Sequence, residues 1–165
     1  MYENVGMTST RSVQRCLPVA VLMIGLAVPA SGQVAAIQKR LAAATSLQCS
    51  FSTLATALWK EGTPGAEVSA AKIEVAFTNV NVEDGTAEAV GRFGDGLIVV
   101  RYTSDYLHLM QMQGAGPLYL TTVLARETKE GRLMAVHTRH EYTDVRLPNF
   151  TSRPEMYVGE CTLGA

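Results

Sequence analysis

Charge of either sign is scarce in this chain. Fourteen Lys and Arg stand against 15 Asp and Glu over 165 residues, and they are scattered. The sequence therefore lacks the basic stripe of a nucleic-acid binder and the polybasic cluster of a membrane anchor. Long apolar runs are also missing. The longest, residues 17–28, is a dozen residues long and contains Pro18, whereas a spanning helix wants about 20. No serine stands in a G-x-S-x-G elbow, which removes support for that class of hydrolase. No H-E-x-x-H is present, so the helical zinc-protease pattern is absent. Cysteine is sparse, with three residues.

The short apolar run has a different use. Arg11 and Arg15 precede it, and Pro29-Ala30-Ser31-Gly32 follow it. A basic start, an apolar core and small residues at the exit describe a secretory signal peptide. The expected organisation is a signal peptide over 1–32, a short helix or linker over 33–46 and a single domain over 47–165. Cleavage would release Gln33, or Ser31 in a second frame. The implied location is exported, periplasmic or extracellular, with no stable membrane anchor after cleavage. Removing 1–32 takes away Arg11, Arg15 and Glu3, which leaves 12 basic and 14 acidic residues.

Cys16 leaves with the signal, and its neighbours Val13-Gln14-Arg15 are not those of a lipidation site. Cys49 and Cys161 remain. Two cysteines in an exported domain read as one disulfide.

In the mature region, Val34, Ile37 and Leu41 fall on one helical face, with Lys39 and Arg40 off it. Such a helix is short for independence and is expected to pack on the domain or plug one end. From Leu47 onward the texture changes. Short β-branched and aromatic runs recur, separated by turn chemistry such as Asp84-Gly85 and Gly114-Ala115-Gly116-Pro117, which is an all-β pattern. Gly62-Thr63-Pro64-Gly65 is expected to break the first hairpin. The runs amount to about eight antiparallel strands in up-and-down order, with no helix between them to carry a parallel crossover. Cys49 lies in the first run and Cys161 in the last, and a disulfide needs Cα atoms within about 4.4–6.8 Å. First and last strands of a meander meet only if the sheet closes, so a closed β-barrel is expected, with a β-sandwich as the alternative. Lipocalins and streptavidin share that architecture, but the Gly-x-Trp of a lipocalin first strand is not here, because Ala57-Leu58 precede Trp59.

His137-Thr138-Arg139-His140-Glu141 looks at first like a cluster for metal or catalysis. In a strand, side chains alternate faces, so His137 and His140 point apart and no metal site is expected. Parity groups Met134, Val136, Thr138, His140 and Tyr142 against Leu133, Ala135, His137, Arg139 and Glu141. The first set carries less charge and is assigned inward. On the strand from Tyr106, parity groups Tyr106, His108, Met110 and Met112 against Leu107, Leu109, Gln111 and Gln113; either set could face inward, and the first is assigned there. His108, His140, Tyr142 and Tyr106 thereby become the candidate ligand-binding residues. The glycine-rich Gly91-Arg92-Phe93-Gly94-Asp95-Gly96 opens no helix and reads as hairpin rather than phosphate cradle. Asn149-Phe150-Thr151 is a glycosylation sequon, and the loop from it to Glu155 is a candidate binding rim.

The leading expectation is a non-enzymatic binding module without cofactor, taking a small apolar or amphipathic ligand in the barrel mouth or interior. One alternative is a protein-interaction or inhibitor domain acting through its loops. The other is an enzyme using His and Tyr as acid–base groups. No nucleic-acid partner is expected.

Overall fold

A computed structural model describes residues 30–90, 98–112, 116–143 and 152–164. One helix and eight strands occur among them: α1 Ala30–Ala42, β1 Ser46–Lys60, β2 Thr63–Asn81, β3 Thr86–Val90, β4 Ile98–Thr103, β5 Tyr106–Met112, β6 Leu118–Glu127, β7 Leu133–His140 and β8 Glu155–Gly164. Every neighbouring pair is antiparallel, and the ring runs β1 to β8 in sequence order as a closed barrel. The expected architecture is therefore the observed one.

Closure rests on the pairing of β1 with β8, in which Cys49 lies directly opposite Cys161. The two form a disulfide with Cα atoms 4.0 Å apart. Just beyond it, β1 carries a bulge between Phe51 and Thr53 against both neighbours. Such an extra residue bends a strand and increases its twist. The partner position is Gly159, where a Cβ would collide with the Ser50 carbonyl and the Phe51 Cα. Only glycine lets the two backbones come this close.

α1 closes one end of the barrel. Ile37 and Leu41 are buried under it. Outside them, Gln38 donates to Asp105 at 3.0 Å, Arg40 pairs with Glu127 at 2.9 Å, and the Tyr102 hydroxyl donates to the Gln38 carbonyl at 3.1 Å. Val34, expected on the packed face, is exposed. The helix reaches over the barrel only from Ile37 onward, so its first turn has nothing to cover. At the opposite end the β1–β2 hairpin projects past the ring. β1 pairs with β8 only as far as Thr56, and β2 pairs with β3 only from Ala76 to Asn81 among the described residues. The expected break over 62–65 is a tight turn at Glu61 and Gly62, both left-handed at φ 51° and 79°, after which Thr63 and Pro64 already belong to β2.

The inward residues make a continuous core from Leu47, Cys49, Phe51, Val75 and Phe77 round to Leu107, Leu109, Val123, Leu133 and Ala135. This overturns the parity assigned to two strands. On β7 the buried positions are Leu133, Ala135 and His137, and Met134 and His140 are exposed. On β5 they are Leu107, Leu109 and Gln111, and Tyr106 and Met112 are exposed. A one-residue slip of parity flips every side chain, and these strands invite one because their outward residues are also apolar. Outward on β5 to β8 stand Met110 and Met112, Leu118, Leu120 and Leu124, Met134 and Val136, Met156 and Val158. Outward on β1 to β4 stand Gln48 and Ser50, Lys72 and Glu74, Thr86 and Glu88, Arg101 and Thr103. The barrel wall thus has a polar half and an apolar half.

Candidate functional site

The inward row changes character toward the end opposite α1. Strand register sets Gln111 against Tyr119, Tyr119 against Arg139 and Arg139 against Glu155. The row beneath sets Thr121 against His137 and His137 against Tyr157. Four strands in succession therefore contribute polar and aromatic side chains to one layer, resting on the apolar floor of Phe51, Val75 and Phe77. Barrel interiors of this width are ordinarily filled by side chains, and buried polar groups survive there when they bond one another.

They do so here. His137, buried to 3% exposure, sits at the centre, with ring centroids 5.7 Å from Phe51, 6.0 Å from Tyr157 and 6.4 Å from Tyr119. Its Nδ1 lies 2.8 Å from the Thr121 hydroxyl, and its Nε2 accepts from Arg139 Nε at 3.4 Å. Since the guanidinium can only donate, Nε2 is the acceptor and Nδ1 carries the proton toward Thr121. Burial, and next the charge of Arg139, pushes the imidazole down to about 3. His137 is a neutral ring at any ordinary pH.

Arg139 lies between two phenol faces, 5.2 Å from the centroid of Tyr157 and 5.8 Å from that of Tyr119. Each tyrosine in turn donates to a carboxylate: Tyr157 to Glu155 at 2.5 Å, and Tyr119 to Glu141. Burial first, then the bond to Glu141 and its charge, pushes the Tyr119 phenol up to about 12. Above this layer is a rim. The Trp59 and Tyr142 rings meet edge to face at 5.8 Å, and Arg153 stands over Tyr142 at 4.7 Å while donating to the carbonyls of Thr143 and Ser152, each at 3.0 Å. Among the described residues, Arg139, Arg153, Glu141 and Glu155 leave the mouth close to neutral.

Of the four sequence candidates, Tyr142 alone reaches this end, as a rim residue 58% exposed. Tyr106 and His108 lie on the outer wall, stacked at 5.7 Å, with His108 Nδ1 3.0 Å from the Thr122 hydroxyl. His140 is on the outer wall too, 3.1 Å from the Thr138 hydroxyl. They do not converge. The residues that do converge, His137, Arg139 and Glu141, belong to the more charged parity set of β7, which sequence alone assigns to water. A usable signal lay in β8. A buried cystine fixes Cys161 inward, and alternation then carries Gly159, Tyr157 and Glu155 with it. Arg153 and Glu155 of the expected rim loop do reach the mouth. Gly91 to Gly96, the sequon at Asn149 and Cys16 lie outside the described residues.

Beneath the polar layer, Val75, Phe77, Leu109, Gln111, Thr121 and His137 line a void of about 10 Å³, room for one water at most. An apolar molecule does not fit there. A larger groove of about 450 Å³ runs on the outside where β1 bulges, along Ser50, Ser52, Lys72, Glu74 and Glu160. Glu74 and Glu160 flank Ser50 there from the two neighbouring strands, and Glu160 is already paired with Arg132 at 2.6 Å. Comparison with protein-family models, with curated proteins and with solved structures finds no match. Among the described residues no cluster of three metal-ligating side chains occurs.

Proposed function

We propose that this is an exported binding module that holds a small amphipathic molecule, neutral or zwitterionic, at the barrel mouth opposite α1. The observation that carries the reading is the layer of Tyr119, His137, Arg139, Glu155 and Tyr157. These groups sit on rigid strands and lock one another's orientation, with Tyr119, Arg139 and Glu155 half-buried at the mouth over buried His137 and Tyr157 and a filled core. Binding sites typically combine an apolar surround with a few fixed polar groups, and preorganised groups lose little entropy on binding. The floor is too tightly packed to admit a purely apolar ligand, so the polar end of the molecule sits on the layer and its apolar part on Trp59 and Tyr142. The enzyme reading has less support. General acid–base work favours groups that titrate near the working pH, and the surroundings move His137 and Tyr119 away from it in opposite directions.

Export is supported by the basic-then-apolar start of the chain and by the disulfide. No helix among the described residues is long and apolar enough to cross a membrane. N-terminal sequencing of natively produced protein should find Gln33 or Ser31 first. Material that retains residues 17–28 would make it a tethered domain.

Native mass spectrometry of protein from its own host should reveal a retained small molecule, and Arg139→Gln should lose it while keeping the fold. Trp59 is the chain's single tryptophan, so its fluorescence should respond as amphipathic compounds are titrated in. No retained mass and an unresponsive Trp59 across such a panel would defeat the reading.

A further inference from the structure

The outer wall carries an observation independent of the mouth. Antiparallel strands with one solvated face usually alternate apolar and polar residues, whereas strands covered on both faces are apolar throughout. β1 to β4 lean toward the first rule, with Val90 and Val99 as outward apolar exceptions, while on β5 to β8 apolar residues predominate outward around His108, Thr122, Thr138 and His140. The exposed members of the apolar half are large: Met112 at 67%, Val158 at 44%, Met156 at 43% and Met134 at 41%. A contiguous apolar surface of this kind marks an interaction site. We propose that the outer face of β5 to β8 is the interface between two copies of this chain, packed sheet on sheet about a two-fold axis.

The choice of a second copy rests on the charge of the face. Its interior holds no Asp, Glu, Lys or Arg, and those residues appear only at the margin, in Arg126 and in the Arg132–Glu160 pair at 2.6 Å. A two-fold interface must be complementary to itself, and an uncharged centre with a charged rim meets that condition without any opposite-charged partner. Two polar pairs are bonded within the face, His108 Nδ1 with the Thr122 hydroxyl and His140 Nε2 with the Thr138 hydroxyl. Covering the face leaves the second nitrogen of each ring to bond across the interface. Methionines adapt their shape to an opposing surface, and twisted sheets stack face to face at about 10 Å. A barrel embedded in lipid fits less well, because Lys72, Glu74, Glu88 and Arg101 on the other half would also meet the hydrocarbon.

The test is the mass of the exported chain in solution, by light scattering and sedimentation. A dimer is expected at micromolar concentration. Met134→Glu and Met112→Glu should each weaken it about a hundredfold or more, since each places a carboxylate without a counter-charge in the covered face. Gln48→Glu, on the polar half, should leave it intact. Far-UV circular dichroism reports whether each variant keeps the barrel. If Met134→Glu unfolds, Met112→Glu carries the test because that side chain is the more exposed. A monomer at high concentration overturns the proposal, as does a dimer that persists in the folded Glu variants, or a monomer that instead binds neutral phosphatidylcholine vesicles.

Discussion

A histidine enclosed beside an arginine is held neutral, and this makes His137 a source of pH dependence in stability. Its folded pKa, about 3, lies below the unfolded value of 6.5. The native state therefore binds fewer protons, and the stability that this represents is complete above about pH 6.5 and is lost as the pH falls toward 3. The groups that face the ring are Arg139 on its own strand, Tyr119 on β6, and Tyr157 and Glu155 on β8. Between about pH 7 and 5.5, where carboxylates scarcely titrate, one such group gives a slope of up to ~1.4 kcal/mol per pH unit. His137→Gln should flatten that part of the profile, read as urea midpoints at the two pH values. Parallel losses in wild type and variant would place the proton elsewhere. At this scale the sequence was least legible. Charged His-x-Arg-x-Glu is the usual signature of a water-facing edge. What keeps it inside is a set of phenols and a carboxylate that other strands bring to it, information that no local pattern contains.

At the scale of the strand, most of the architecture was legible and one property was not. Turn chemistry is local, since Asp84-Gly85 or Gly116-Pro117 act through their own backbone angles, so seven of the eight strands fall within a few residues of where their turns place them. β2 is the exception. It begins at Thr63 rather than near Ile73, because a hairpin projecting past the ring needs no inward alternation. Which face of β5 and β7 points inward was not legible, because alternation identifies a face only when the other face is polar, and the apolar outer wall removes that contrast. β1 and β8 also show how little room a bend leaves. Gly159→Ala places a methyl against the backbone at Ser50 and Phe51, with no flexible side chain there to yield. The expected loss is at least the ~1–3 kcal/mol of ordinary overpacking, measurable by urea titration. Gly131→Ala has open space but a positive φ of 75°, so only the backbone preference opposes it, about 1 kcal/mol. An equal loss at the two sites would mean that the close approach at Gly159 is absent.

For the molecule as a whole, the ring depends on its first and last strands. The Cys49–Cys161 bridge spans 112 residues, and a loop of that length stabilises by ~4–5 kcal/mol in the chain-entropy model. Against a total of about 5–15 kcal/mol, that is a large share. Cys161→Ser, or reduction of the wild type, should lower the melting temperature by ~10 °C or more. A shift of only a degree or two would show that β1–β8 pairing closes the barrel unaided. The same pairing has a consequence in time. No neighbour for the outer edge of β1 exists until β8 has been made, because the residues opposite Cys49 lie in the last strand of the ring. Until then the domain is an open, curling sheet with two bare edges, the form most apt to join a stranger's strand. Contacts this distant in sequence also form slowly. The hazard is therefore greatest just before β8 is added, and the bond between the first and last strands makes the closing step difficult to reverse.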